Sequence, residues 1–264
     1  MKLTQRSSKS VSSLDVTIPP TFSCLTESSN SLDLLLNSYI IYTDDAESTT
    51  LASRRSYYLE EFNSWYNAFQ AYLGKHALSF RQLQHARVLQ LIQTWFVLIV
   101  QVTSDNGEFS EMAVDDHPML YRRVLSLARD IISAQTTVQF TSKPDPQFAF
   151  DMNVVAPLYG LVHHCRDPVV RREAVGLLKT VKRREGIWDS DLAAIVGQKI
   201  IEIEEQGLGA VNQASDVPHS ARIAAVQVNF DMEGKLGKIC YSRGISGGAQ
   251  TRRAQPQCTE IMSW

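Results

Sequence analysis

The sequence predicts an all-α fold, a multi-helix regulatory-type domain closed by a small C-terminal β-hairpin. Three observations carry this. Apolar residues recur at three- and four-residue spacing through most of the chain, which marks helices with one buried face. Helix starts and stops are well punctuated between Cys165 and Ser190. Near the end the period switches to two, in Val226, Val228 and Phe230, which marks a strand.

Taken in order, residues 1–31 are rich in Ser, Thr and Lys, are broken by Pro19-Pro20 and lack apolar periodicity. They predict a disordered segment. The folded domain is expected over residues 32–241. An apolar cluster at Leu32, Leu34, Leu35 and Leu36, running to Tyr42, predicts a helix laid on the core. From about residue 48 to Leu73 the stripe Leu51, Tyr58, Leu59, Phe62, Trp65, Tyr66, Phe69, Tyr72 and Leu73 predicts a long helix, with Gly74 as its stop. Aromatics at this spacing form a core face rather than a base-stacking platform. Arg54, Arg55, Glu60 and Glu61 then lie on the solvated side.

A second long helix is predicted from Ser79 to Val102. A third begins near Asp116 and carries Leu120, Val124, Leu127, Ala128 and Ile131. Pro144 and Pro146 mark a connection. A short helix from about Pro157 ends before Arg166. The next is capped by Asp167, whose carboxylate can accept from first-turn amides, and has Pro168 at its first position, where no N–H is needed. Val170, Ala174, Leu177, Leu178 and Val181 make its buried face. Lys182, Arg183 and Arg184 suit the negative end of its dipole, and Gly186 suits a left-handed stop. Asp189 or Ser190 caps the last helix, which shows Leu192, Val196, Ile200 and Ile203 on one side. The hairpin is expected at about 222–241, with a glycine-containing turn, and a loose tail at 242–264.

At 264 residues, 44% apolar and 20% charged, the chain can bury a core without staples, and its net charge of −2 exerts no global pull on nucleic acid or anionic membrane. Cys24, Cys165, Cys240 and Cys258 form no C-x-x-C pair and are expected to be free thiols. The first ten residues have no apolar signal region. The most apolar run, Val88 to Val102, is shorter than the roughly 20 residues a bilayer needs and contains three glutamines, so a buried helix and a soluble, non-membrane protein are expected.

Candidate chemistry is sparse. His163 and His164 are adjacent, so their side chains diverge by about 100° on a helix, and helix-end packing is expected rather than a metal site. Asp115, Asp116 and His117 precede Pro118 and predict a helix start. No nucleophile elbow, Walker loop or dinucleotide fingerprint is present. No catalytic, metal or cofactor-binding residue is predicted, and the chain reads as a non-enzyme. The acidic end Glu202, Glu204 and Glu205 opposes the helix dipole and calls for a cationic neighbour, for which Arg183 or Arg184 is the expectation.

One run begins at Phe148-Ala149-Phe150-Asp151, continues through Pro157-Leu158-Tyr159, and carries the motif residues Cys165, Arg166, Asp167, Pro168, Arg183, Arg184, Glu185, Gly186, Trp188, Asp189 and Ser190, then Ile203-Glu204-Glu205 and Phe230-Asp231-Met232-Glu233-Gly234. It resembles the C-terminal regulatory region of fungal binuclear zinc-cluster transcription factors. The resemblance is specific over 148–234 and looser over 32–147. It implies an α-helical regulatory domain, a nuclear location (with the cytoplasm as alternative) and a setting such as fungal secondary-metabolite gene-cluster regulation. That family binds DNA through six zinc-holding cysteines. The four scattered cysteines here match no such cluster, so a truncated regulator without direct specific DNA binding is expected. It would act through protein partners, among them a full-length related transcription factor. The alternatives are a ligand-binding helical sensor, lined by Trp65, Phe69, Trp95 and Phe96, or a non-functional remnant.

Overall fold

The computed structural model describes residues 17–44, 51–103, 111–139, 147–149, 153–243 and 258–263. Seven α-helices dominate these: α1 (Leu25–Asp44), α2 (Leu51–Leu73), α3 (Phe80–Val102), α4 (Pro118–Gln139), α5 (Val155–His164), α6 (Pro168–Val181) and α7 (Ser190–Glu205). Two small three-stranded sheets accompany them. In the first, β1 (Gln147–Ala149) pairs parallel with β2 (Arg183–Glu185), which pairs antiparallel with β3 (Trp188–Asp189). In the second, β4 (Ile223–Asp231), β5 (Leu236–Arg243) and β6 (Cys258–Ser263) run antiparallel in that order. The fold is therefore mostly α, with more strand than one hairpin.

Burial follows the apolar spacing. Tyr58, Phe62, Trp65, Phe69 and Tyr72 of α2 all point into the main core, so the aromatic stripe is a packing face. Trp65 stacks on Phe69 with ring centroids 4.7 Å apart, and its indole N–H donates to the Ser28 carbonyl of α1 at 3.0 Å. Arg55 does not stand on the solvated side as expected. Its guanidinium donates to the carbonyls of Val100 (3.1 Å) and Gln101 (2.7 Å) and so satisfies the orphan end of α3. These contacts join the start of α2 to the end of α3 and so set the two long helices antiparallel to one another.

α3 is long and apolar enough to cross a bilayer, yet Leu91 to Leu98 are all buried among neighbouring helices, and 61% of its most apolar window lies inside the protein. Its start is fixed by a reciprocal capping box, in which the Ser79 amide donates to Gln82 Oε1 (2.9 Å) and the Gln82 amide to Ser79 Oγ (3.4 Å).

α7 is buried on two sides. Ala193, Ala194 and Ile201 enter the main core. Val196, Ile200 and Ile203 form a second, smaller core with Ile223, Ile239, Tyr241 and Met262 of the C-terminal sheet. The face read from the sequence is thus the one that docks the sheet, and docking is what a marginal hairpin requires.

Two boundaries differ from expectation. The first helix begins at Leu25, inside the segment expected to be disordered, and Phe22, Leu25 and Leu32 are buried. Serines and a glutamate hid this start; Ser23 donates from both its amide and its hydroxyl to Glu27, each at 2.6 Å. The expected loose tail contains β6, whose Met262 enters the small core. Pro144, Pro146, Phe150, Asp151 and the tail over 244–257 lie outside the described residues.

Candidate functional site

Each residue of the motif between Cys165 and Ser190 can be followed to a structural task, Arg184 excepted. The Cys165 amide closes α5 on the Leu161 carbonyl at 3.0 Å, and its buried thiol is pushed up to about 12 by desolvation. Asp167 Oδ1 accepts from the amides of Val169 (3.0 Å) and Val170 (3.3 Å), with Pro168 first in the helix. Asp189 does the same for α7, accepting from Asp191 (3.0 Å) and Leu192 (3.1 Å). The Ser190 hydroxyl accepts from the Arg183 amide at 2.9 Å. Trp188 is half-buried beside Tyr159, ring centroids 5.3 Å apart. Arg184 is exposed.

The expected stop of α6 is corrected. The helix ends at Val181, and Lys182, not Gly186, takes the left-handed cap with φ 42°. Arg183 to Glu185 leave the helix to form a strand. Gly186, with φ 56°, instead makes the turn between β2 and β3. The reason is Glu185. Its buried carboxylate accepts from three consecutive amides at the start of α5, Asn153 (2.9 Å), Val154 (3.1 Å) and Val155 (3.0 Å), and Arg183 Nε lies 3.0 Å from it. A negative group aimed at the positive end of a helix is favourable, and here it arrives from a strand thirty residues later in the chain.

Behind this cassette lies a buried network of charges. Arg166 is 1% exposed and Arg171 and Glu204 are fully buried. Arg166 Nη1 donates to Glu111 Oε2 (2.5 Å) and to the His164 carbonyl (2.6 Å); its Nη2 donates to Glu204 Oε1 (2.7 Å) and the Ile223 carbonyl (3.2 Å). Arg171 donates through Nε to the Val162 carbonyl (2.8 Å), and its Nη2 sits 2.6 Å from Glu204 Oε2 as a charge contact rather than an aligned hydrogen bond. Glu204 Oε1 also accepts from the Ile223 amide at 2.6 Å. Both backbone groups of the first β4 residue are thereby held. A third buried arginine, Arg222, donates to the carbonyls of Val217 (3.0 Å) and Glu111 (2.9 Å) and to Asp115 Oδ2 (2.5 Å).

The electrostatics are those of a balanced cluster. Burial by itself would raise Glu111, but Arg166 and His164 outweigh it and hold the carboxyl down at about 2. Burial likewise acts to raise Glu204, against which Arg171 and Arg166 prevail, so it too is lowered. Burial and the neighbouring His164 push His163 well below the ordinary histidine range, so it is neutral in the fold. Its ring packs 4.2 Å from His164 and 6.0 Å from Tyr159. His164 Nδ1 lies 3.4 Å from Glu111 Oε1. The charges face one another rather than a cleft, so the cluster ties elements together: the turn before α4, the α5–α6 junction, α7 and β4.

Several expectations change here. The acidic end of α7 does find cations, but they are Arg166 and Arg171 for Glu204 and Arg172 for Glu205 (2.6 Å), not Arg183 or Arg184, which lie with β2. Arg171 is not part of a charged outer face. Asp115, read as part of a helix start, is turned to Arg222. Trp65, Phe69, Trp95 and Phe96 are packed core residues, each at most 8% exposed. A shallow cavity of about 260 Å³ lies elsewhere, between α7 and β6, lined by Lys199, Glu202, Ile203, Gln206 and Glu260 and crossed by the Lys199–Glu260 ion pair at 2.6 Å. Among the described residues no group of three or more His, Cys, Asp or Glu could hold a metal ion. Sequence reasoning missed Arg166, Arg171 and Arg222 as buried groups. The one signal was the unmatched acidic run at the end of α7.

Comparison with known proteins gives one informative similarity. Over 108 residues, 39% of this chain, it is 35% identical to the aspercryptin biosynthesis cluster-specific transcription regulator of Emericella nidulans. The matched region spans 17% of that regulator's length. No family model matches, and no solved structure matches. The chain is thus similar, in part, to a fungal cluster-specific transcription regulator.

Proposed function

We propose that the chain is a transcription-regulator-like protein that acts in the nucleus by contact with other proteins, without specific DNA binding of its own. The observation that carries this reading is the 35% identity over 108 residues to a cluster-specific regulator. The site geometry agrees with it: the motif residues serve as helix caps and buried ties, which suits a scaffold that presents surfaces. The setting we propose is control of a fungal gene cluster, with a related full-length regulator as partner.

The test is a reporter experiment in a filamentous fungus. The chain, tagged with a fluorescent protein, is expressed beside a reporter driven by a cluster promoter, and its location and the reporter output are followed. Nuclear accumulation with a change in output supports the reading; a cytoplasmic protein with no effect on any cluster promoter sinks it. A mobility-shift titration of the isolated chain at physiological salt tests the DNA part. A saturable, sequence-specific shift would show direct binding and refute it.

A further inference from the structure

The tip of the α2–α3 hairpin carries exposed cations and exposed apolar groups on a stretch of chain without acidic residues. From Phe62 to Ser104 the chain has no aspartate or glutamate. Within that span Lys75, His76, Arg81 and His85 are exposed and Arg87 is half-exposed. No ion pair engages Lys75, Arg81 or Arg87 among the described residues, whereas Arg122, Arg129, Arg172, Lys182 and Lys199 are each matched to a carboxylate. Between Lys75 and Arg87 along the chain stand Phe80, 56% exposed, and Leu83, 40% exposed, one helical turn apart in α3.

The tip is also held in shape. The Ser79–Gln82 capping box sets the first turn of α3. The Gly74 amide closes α2 on Gln70 at 2.9 Å, and the His76 ring stacks on Tyr72 with centroids 4.4 Å apart. A partner would meet an ordered surface and would not have to order it, which lowers the entropic cost of binding.

We propose that this tip is a docking surface for an acidic amphipathic peptide, in which two large apolar side chains seat on Phe80 and Leu83 and flanking carboxylates pair with Lys75, Arg81 and Arg87. Charge complementarity selects this occupant. Three cations are too few for the six to ten phosphate contacts of a nucleic-acid site and fall short of the four to eight that mark anionic-lipid binding. Two exposed apolar groups with cations beside them fit the apolar face and acidic flanks of an amphipathic peptide instead. The proposal names the partner chemistry for the regulatory reading above, and its physiological meaning rests on that reading.

The experiment uses the full chain and a fluorescein-labelled synthetic peptide of about 18 residues, with Glu flanking Leu and Phe at helical spacing. Fluorescence anisotropy is expected to show saturable binding that weakens with added salt. Lys75→Glu/Arg81→Glu and Phe80→Ala/Leu83→Ala should each weaken it by about tenfold or more, with unchanged circular dichroism. The same charge change on the C-terminal sheet, Lys235→Glu/Lys238→Glu, should leave it intact. A peptide with its apolar residues replaced by Ser should bind far more weakly. Equal binding by the tip variants, or no binding by wild type, overturns the proposal. So does tighter binding to phosphatidylserine vesicles or duplex DNA, or self-association lost in the tip variants, which would assign the surface to a second copy. Failure here leaves the reporter result standing, and a null reporter result leaves this binding measurable.

Discussion

Arg166, in the α5–α6 junction, meets Glu204 near the end of α7, Nη2 to Oε1 at 2.7 Å, with no part of either side chain exposed to solvent. The same carboxylate holds Arg171 and the first amide of β4, so one side chain links three elements. Removing one member of a buried pair leaves the other charged and desolvated, which costs about 3–5 kcal/mol. Glu204→Ala is therefore expected to lower stability by that order, and Glu204→Gln by less, because it keeps an acceptor for Ile223. Urea unfolding of both variants checks this. A loss below about 1 kcal/mol for Glu204→Ala would mean that the network is not a stabilising tie.

The helices were legible because their signals are local. Asp167-Pro168 and Asp189 cap the helices they precede, and the spacing in α2, α4 and α6 places the buried faces correctly. The network was not legible, because its partners sit far apart in sequence: Glu111 is 55 residues from Arg166 and Glu204 is 38. A basic doublet such as Arg171-Arg172 reads alike whether both face water or, as here, one is buried and one is half-exposed. Strand β2 was missed for a related reason. Arg183-Arg184-Glu185 has no alternating apolar pattern, and it is strand because Glu185 must reach the start of α5.

Glu185 gives the second prediction. Three amides depend on one carboxylate, two of them buried. An unmet buried donor costs roughly 1–3 kcal/mol. Glu185→Ala should destabilise by at least one such increment, and hydrogen exchange should show it locally, with faster exchange at Asn153, Val154 and Val155 and through the first turn of α5. Protection in α2 and α3 should stay close to wild type. Uniform loss of protection across all helices would instead mean that α5 does not open on its own.

His163 makes stability depend on pH. Its folded-state affinity for a proton is depressed well below the ordinary histidine value of 6.5, by burial and then by His164, so the unfolded chain takes up the proton first. The stabilising contribution of the neutral ring is present above about 6.5 and is lost as pH falls, by up to about 1.4 kcal/mol per pH unit for one proton. Glu111, held at about 2 against 4.5, adds a second loss only between 4.5 and 2. The fall in urea midpoint between pH 6.5 and 5 should therefore track His163. His163→Phe keeps a flat ring beside Tyr159 and removes the titration, since Nε2 has no hydrogen-bond partner among the described residues. Its midpoint should be flatter over that window. An unchanged slope would place the acid sensitivity elsewhere.

Two glycines allow α5 to approach its neighbours. A methyl group on Gly160 would collide with the Trp95 ring of α3, and one on Gly197 of α7 would come within 2.6 Å of Val162 Cγ1. Both lie in helices, where alanine has the better intrinsic propensity by up to about 1 kcal/mol. Packing opposes that gain. Overfilling a close-packed core costs about 1–3 kcal/mol, and a fused ring cannot swing aside as a flexible chain does. Gly160→Ala should therefore be the more harmful of the two, despite its helix propensity. A double-mutant cycle with Trp95→Phe separates the causes, because the smaller ring vacates the space the methyl needs. If the clash dominates, Gly160→Ala should cost clearly less in the Trp95→Phe background than in wild type, with a coupling of about 0.5 kcal/mol or more. Additive effects in thermal or urea unfolding would show that the α3–α5 contact yields without help from the indole.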